Sequence, residues 1–389
     1  MKKVLLISDN KIFGIGGGSL EEHKYYDGIK NYVSTHGGEF RILSIDDPSD
    51  ESLTEKIEKS RHYDLLARLL GHSTYMYFVW KKYKKRVLEY KPDIIFLGRS
   101  RMGFIARDVR KLLPDTKVVC NMENVEYDYV DGYFSDNKSF LKTLYIAWEK
   151  FCVKRDESKA VQYAHAVDYL TKRDYKRTHE FYKVPENARE MILPICIENA
   201  TQLCCRSDNR NVVFIGSLGY RANSMALKSF LDNVWNVYYS DRKDVSLIVG
   251  GRNPDEELEK KVLSVPNCSF HKNFSSLEDI IPMYSLVIAP IEKGAGMKVK
   301  VAETLSMGLM IAASDEALVG YESALDSKSA GIIRANTSED YRKAIDAYLQ
   351  LTSNEMERIS IEQKKLYRNN YSYDISKEAI SGLIDDLLL

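Results

Sequence analysis

Residues 289–308 read Ala-Pro-Ile-Glu-Lys-Gly-Ala-Gly-Met-Lys-Val-Lys-Val-Ala-Glu-Thr-Leu-Ser-Met-Gly. Two glycines, Gly294 and Gly296, precede two cations, Lys298 and Lys300, and a carboxylate, Glu303. The stretch from Met297 to Met307 is rich in good helix formers, and Gly308 supplies a stop. A short apolar run at 286–289 comes first and reads as a buried strand. Strand, glycine loop and helix start together make an anion site, because unpaired backbone N–H groups and the positive end of the helix dipole face one point. The lysines add mobile positive charge there. Glu303, roughly one turn further on, is placed to accept from a pair of sugar hydroxyls. Such a set suits a nucleotide diphosphate with its ribose. The same residues also suit a plain buried strand and an amphipathic helix with solvated charges, since glycine-rich anion loops are weakly specific.

The rest of the chain must position this element. Residues 4–8 form a short apolar run, the usual first strand of a doubly wound α/β sheet. Asp9 and Asn10 follow, then Gly14-Ile-Gly-Gly-Gly-Ser, then a helical run over about 20–33 that Ser19 is placed to cap. Gly16 and Gly17 sit where backbone approaches a ligand closely, and their spacing after the strand is not a dinucleotide fingerprint. Further strands are expected at 40–45, 94–98, 118–122 and 164–171, with a short one at 191–193. Residues 53–90 read as one helical stretch. There Leu65, Leu66, Leu69, Leu70, Tyr75, Tyr77, Phe78 and Trp80 precede Lys81, Lys82, Lys84, Lys85 and Arg86, a pattern that suits either a membrane-contact surface or a core helix with one solvated face. A long helix is expected over 140–163, with Glu149, Lys150 and Arg155 on its polar faces.

Residues 194–210 lack periodicity and contain Asn199, Ser207, Asp208 and Asn209, so they read as the linker between two domains. Strands follow at 211–215, 245–249, 268–271 and 331–334. Asn223 is placed to cap a helix through Trp235, and Ser275 or Ser276 a helix over 276–283. Helices are expected at 338–351 and 353–369. The last run, 373–389, is amphipathic, with Ile375, Ala379, Ile380, Leu383, Ile384 and Leu387 on one face. Strand–helix alternation of this kind defines two doubly wound parallel sheets, whose ligands lie outside the carboxyl ends of the strands.

Composition narrows the function. A chain of 389 residues with 44% hydrophobic content builds more than one core. Its formal charge of zero disfavours a bulk nucleic-acid binder. The N-terminal apolar run is too short for a signal peptide, and no run approaches a membrane span. Six cysteines without Cys-x-x-Cys spacing, two of them adjacent at Cys204 and Cys205, fit reduced thiols in a cytoplasm.

The stretch Pro290, Gly294, Gly296, Lys298, Lys300, Glu303, Gly308 and the run 310–313 resembles the nucleotide-sugar motif of GT-B glycosyltransferases, most closely the retaining family 4 enzymes (group 1). The likeness extends loosely to the first half and sharply over 211–320. It implies a GT-B fold with an acceptor domain at 1–195, a donor domain at 210–370 and a terminal helix at 371–389 that crosses back. Lys298 would stabilise the leaving diphosphate, Glu303 would hold the ribose, and Lys300 or Arg221 would assist. Gly216, Ser217, Gly250, Asn273, Phe274, Gly294, Gly296 and Met297 would complete the donor site, with Gly16 and Gly17 from the first half. Asn10, Glu123 and Glu126 would bind the acceptor, although the family's histidine or aspartate near 121–124 is absent. Glu157 matches a helix glutamate of the family, and His165 stands where aspartate is common and reads as structural. A second family glutamate is replaced by Ala295, and residues 313–320 correspond to a loop closing the donor site.

No cofactor is implied, and without an Asp-x-Asp triplet no metal is demanded; the donor is a UDP-sugar in preference to a GDP-sugar. The acceptor would be a glycan, a lipid-linked molecule or a protein, with an anionic membrane surface as a further partner and surface polysaccharide synthesis as the setting. A nucleotide-sugar 2-epimerase and a non-catalytic binding module remain alternatives on the same fold.

Overall fold

The computed structural model describes residues 2–14, 16–45, 52–53, 61–133, 139–198, 203, 209–294 and 296–389. Cys204 and Cys205, Asn199, Ser207 and Asp208 of the expected linker, Ala295, and 54–60 of the expected helical stretch 53–90 lie outside these residues. The chain divides into two compact units, Met1–Cys196 with Tyr373–Leu389, and Ile197–Ser372.

The first unit holds strands β1 (Lys2–Ile7), β2 (Gly38–Leu43), β3 (Ile94–Leu97), β4 (Lys117–Met122), β5 (Ala166–Tyr169) and β6 (Arg189–Ile192), in the order β2-β1-β3-β4-β5-β6. Every pairing is parallel. Both faces are covered, so successive residues of β1 alternate between two cores. Leu5 and Ile7 pack with Trp80, Val87 and Ile105, whereas Val4 and Leu6 pack with Tyr25, Ile29 and the terminal helix.

In the second unit, β7 (Arg210–Ser217), β8 (Val245–Arg252), β9 (Cys268–Lys272), β10 (Leu286–Ala289), β11 (Met310–Ala313) and β12 (Ile332–Arg334) stand in the order β12-β11-β10-β7-β8-β9, again all parallel. In each sheet the chain returns to the other side of its first strand, so a switch point falls between β1 and β3 and between β7 and β10.

Several expected elements differ. The helix after β1 begins at Gly17 with Gly16 at its N-cap position, and no side chain caps it, so Ser19 lies inside the first turn. The 53–90 stretch contains two helices, Arg61–Leu69 and Met76–Tyr90. Between them Gly71 takes φ 79°, and the buried carboxylate of Asp156 accepts from the Ser73 N–H at 2.8 Å and its hydroxyl at 3.0 Å, drawing the backbone out of helical hydrogen bonding. Tyr75 and Trp80 are core residues, and the indole of Trp80 donates to Asp108 at 3.0 Å. They are therefore not the aromatic half of a surface patch.

Glu149 is likewise buried, because Arg68 and Arg101 both reach it. Asn223 lies within the helix Arg221–Phe230, whose N-cap position is Tyr220, and a π-helical segment Leu231–Trp235 follows. Residues 276–283 form turns instead of a helix, because Pro282 disfavours helical backbone at the residue before it in an already short segment.

The terminal helix Tyr373–Leu388 packs along Gly17–His36 and buries Ile380, Leu383, Ile384 and Leu387. A Cβ on Gly28 would meet the Ile380 side chain at 2.5 Å at Cδ1 and 3.1 Å at Cβ. Gly→Ala inside a helix ordinarily stabilises by about 1 kcal/mol. At Gly28 the sign is expected to reverse, with Gly28→Ala losing about 1–3 kcal/mol through overpacking. In an Ile380→Val background, which lacks Cδ1, the loss should shrink. Urea unfolding of the four proteins measures this, and an equal loss in both backgrounds would discount the contact.

Candidate functional site

The second unit gathers most of the residues singled out for the donor. Gly216 and Ser217 end β7, Gly250 lies near the end of β8, Asn273 and Phe274 follow β9, and Pro290 opens the loop that runs from β10 to Lys298. The loop delivers the helix Val299–Met307, with Gly308 in the left-handed conformation at its end (φ 72°). Lys298 occupies the N-cap position with extended backbone, and no side chain caps this N-terminus. Tyr321, fully buried, donates its hydroxyl to the Lys298 carbonyl at 3.0 Å and accepts from the Ala302 N–H at 3.2 Å. The first turn is thereby pinned against the 313–321 segment.

Lys300 reaches back across the end of β7. Its ammonium donates to Asn223 Oδ1 at 3.0 Å and lies 4.8 Å from the centre of the Phe214 ring, and Asn223 Nδ2 donates to the Ser217 carbonyl at 3.0 Å. A Cβ at Gly216 would stand 3.1 Å from both Lys300 Nζ and Asn223 Nδ2, so a side chain there would crowd this path. Burial brings the Lys300 ammonium down to about 8, with Glu303 opposing the shift and Lys298 adding to it. Lys298 Nζ donates to the Gly296 carbonyl at 2.9 Å and to Glu316 Oε1 at 3.0 Å. Glu303, half-buried, is pushed above the usual carboxylate range by burial, against the pull of Lys300 and Arg252. The arrangement offers an anion two ammonium groups and an uncapped helix start, with a carboxylate about one turn behind.

The other donor candidates divide by role. Gly294 passes close to Lys298, and a Cβ there would lie 3.1 Å from its Cε; Gly296 takes φ 53°. Met297 is buried and Arg221 is exposed at the start of its helix. Asn273 holds a turn with φ 53°, donating its N–H to the Gly251 carbonyl and accepting from the Asn253 N–H. Phe274 carries the Arg252 guanidinium 5.5 Å from its ring centre, and packing of Phe274 and Ile280 accounts for Gly250. Gly16 and Gly17 belong to the first unit.

In that unit Asn10, Glu123 and Glu126 do lie at strand ends, around arginines that sequence reasoning missed. With its amide oxygen turned toward Arg99, Asn10 accepts from Nη2 at 2.6 Å and Nε at 3.0 Å. Arg99 also lies 3.5 Å from Asp9 and 3.3 Å from Glu123. Gly18 permits this packing, since a Cβ there would stand 2.8 Å from Asn10 and 2.9 Å from Arg99. Burial raises the Glu123 carboxyl to about 7, with Arg99 opposing. Glu126 is ion-paired with Arg101; burial acts to raise its carboxyl, but Arg101 and Arg99 prevail and hold it below the usual range. A cavity of about 290 Å³ opens here, its polar lining including Asp9, Arg68, Ser73, Arg99, Arg101 and Glu126.

Beneath it, buried Glu157 accepts from the N–H groups of Glu126 and Tyr127 and from the Ser100 and Tyr182 hydroxyls, at 2.7–3.1 Å. It positions the strand-end loops. His165 accepts the Val118 N–H at 2.9 Å, and burial beside Arg110 brings its imidazole down to about 4, so it is a neutral structural residue. The available signal for the arginines was Gly98-Arg-Ser-Arg101, a charged run placed directly after an apolar strand.

The fold is the GT-B glycosyltransferase fold of two Rossmann-like α/β units. Residues 209–351, which include the lysine motif, match the family Glycosyl transferases group 1. Among solved structures, the chain is similar to sucrose-phosphate synthase from Thermosynechococcus elongatus, at TM-score 0.70 and 10% identity over 100% of this chain and 99% of that one. It is similar to WaaG, a glycosyltransferase involved in lipopolysaccharide biosynthesis, at TM-score 0.65 and 15% identity over 97% and 98%. A third similar structure is Anabaena Alr3699/HepE in complex with UDP and glucose, at TM-score 0.64 and 10% identity over 99% and 100%. A search of curated proteins gave no match.

The raised Glu123 carboxyl gives a pH test. Between about 4.5 and about 7 the folded chain holds a proton that the unfolded chain releases, so this group's stabilisation is lost as pH rises through that window. The stability of the wild type minus that of Glu123→Gln should therefore fall as pH rises from 4.5 to 7 and flatten above, with a slope of up to about 1.4 kcal/mol per pH unit. Chemical denaturation at several pH values measures the difference, and a difference that rises with pH would contradict the assignment.

Proposed function

We propose that the protein transfers a sugar from a nucleotide diphosphate donor, a UDP-sugar, to an acceptor hydroxyl, with retention at the anomeric carbon as in family 4. The observation that carries this reading is the convergence of Lys298, Lys300 and an uncapped helix N-terminus at the ends of β7 and β10, inside the segment that matches the family. Charge develops on the departing diphosphate. Lys298 and the N–H groups after Gly296 meet it as it forms, which lowers the barrier more than it strengthens ground-state binding. Lys300, nearly dehydrated, gains an anionic partner when the diphosphate arrives, and Arg221 adds a mobile cation at the rim. Glu303 accepts from the ribose hydroxyls. Phe274 and the backbone at Asn273 face the base, with Gly216, Ser217, Gly250, Gly294 and Met297 shaping the floor.

UDP is favoured over GDP because similar structures hold UDP or UDP-sugars. The acceptor enters the polar cavity lined by Glu126, with Asn10 and Glu123 joined to it through Arg99, and the arginine–carboxylate lattice suits a polyhydroxylated group. It is a glycan, a lipid-linked molecule or a protein. Surface polysaccharide or glycoconjugate synthesis in a bacterial cytoplasm, at an anionic membrane face, is the setting this chemistry fits.

A thermal-shift panel of UDP, GDP, CMP and their sugar conjugates tests the donor, with UDP and UDP-sugars expected to stabilise most. Lys298→Ala should lower turnover about a hundredfold or more, equivalent to about 2–4 kcal/mol, far more than it lowers stability through the lost Glu316 pair. Near-normal turnover would remove Lys298 from the chemistry.

The depressed Lys300 ammonium adds an independent test. At roughly pH 9 the unliganded group is mostly neutral, and a bound diphosphate favours its charged form, so binding should take up a proton. Calorimetry of UDP binding in buffers of different ionisation enthalpy measures this uptake. It should approach one proton near that pH and vanish in Lys300→Met; no uptake in the wild type places the phosphates elsewhere.

A further inference from the structure

Two helices of the first unit present large apolar side chains to solvent. On Arg61–Leu69 and the residue after it, Leu65, Leu66, Leu69 and Leu70 are 46–68% exposed. On the first three turns of Phe140–Gln162, Phe140, Leu141, Leu144, Trp148 and Phe151 are 42–77% exposed. Helical spacing puts the latter five on one face. The two helices adjoin: the Trp148 indole donates to the Arg68 carbonyl at 2.8 Å, and Arg68 is ion-paired with Glu149. Trp148 also stacks on Phe151, with ring centres 5.3 Å apart. The result is a continuous apolar surface, larger in side-chain content than scattered exposed residues explain.

Among the described residues, the exposed charges on these two helices beside it are basic. Asp64 and Glu149, the acids nearest this surface on the two helices, are drawn into ion pairs with Arg68, and Glu149 with Arg101 as well. Arg61 and Lys154 are exposed, and Lys142 and Lys150 are half-exposed. Among the described residues, a chain with zero net charge thus shows an apolar face flanked by cations. A second copy is a poor occupant, because a two-fold contact sets this rim against itself. Anionic lipid headgroups complement it, and leucines with a tryptophan suit the headgroup–acyl boundary.

We infer that this face docks the protein on an anionic bilayer, with Trp148 and the leucines in the interface and the lysine rim on the headgroups. Arg68 and Glu149 also reach the polar cavity, so the face adjoins the site assigned to the acceptor. Resting on that assignment, the acceptor is an amphiphile whose polar head enters the cavity from the membrane.

Trp148 is its own reporter, because Trp80 and Trp235, the other two tryptophans, are buried. The full chain is mixed with vesicles of phosphatidylglycerol and phosphatidylcholine, or of phosphatidylcholine alone, at low and raised salt. With anionic vesicles at low salt the protein should co-sediment and its emission shift to the blue; Trp148→Phe should abolish the shift. The triple variant Leu69→Ser, Leu144→Ser, Phe151→Ser should lower partitioning at least tenfold, and raised salt or neutral vesicles should weaken it. Protein left in the supernatant with anionic vesicles overturns the inference, as does co-sedimentation indifferent to the triple variant. A concentration-dependent dimer abolished by that variant overturns it too, by assigning the face to self-association. UDP binding of the same proteins without vesicles keeps the readings separate: its loss with membrane binding intact strikes the donor assignment alone, and the reverse strikes the docking face alone.

Discussion

A positive charge held almost out of water at the end of β7 is the constraint around which the second unit is built. The Lys300 ammonium is nearly buried, and its contacts are an amide oxygen and an aromatic face. Dehydrating an ammonium is costly unless partners compensate, and the observed partners do so only in part. Its depressed proton affinity records that incomplete compensation. Everything nearby serves to keep it there: Gly216 leaves the path, Asn223 ties it to the strand end, and Tyr321 fixes the turn from which it projects. An incoming dianion relieves the imbalance, which is why this strand end is the place to expect a phosphate.

The first unit uses the same position in its sheet differently. At its switch point, carboxylates crowd around arginines: Asp9 and Glu123 on Arg99, where the Asn10 amide oxygen joins them, and Glu126 and Glu149 on Arg101. Carboxylates outnumber the arginines, and Asp9, Arg99, Arg101, Glu126 and Glu149 of this set line a cavity. In the proposed function this lattice is what meets the acceptor hydroxyls, with paired donors and acceptors in fixed geometry. Buried Glu157 underlies it by collecting four donors from three segments.

Much of this was readable in the sequence where local signals sufficed. The apolar runs of β1, β7, β8 and β10 and the stop at Gly308 follow from period and punctuation, and the lysine motif follows from spacing on one helix. What escaped reading depends on distant partners. Trp80 suited either a surface aromatic beside lysines or a core helix, and Asp108 on another helix, which accepts its indole, decides for the core. Glu149 looked solvated, but two arginines from separate segments bury it. Asn223 looked like a helix cap, but its amide is spent on Ser217 and Lys300. Arg99 and Arg101 carry no pattern of their own, and only the β1–β3 pairing brings Arg99 to Asn10.

A crystal structure of the protein with UDP bears most directly on the second unit's role. The expected result places the diphosphate against the N–H groups that open the helix Val299–Met307, with Lys300 Nζ turned from Asn223 toward phosphate oxygen and the Glu303 carboxylate on the ribose hydroxyls. A diphosphate bound away from that helix, with Lys300 still on Asn223 and Glu303 facing solvent, contradicts it.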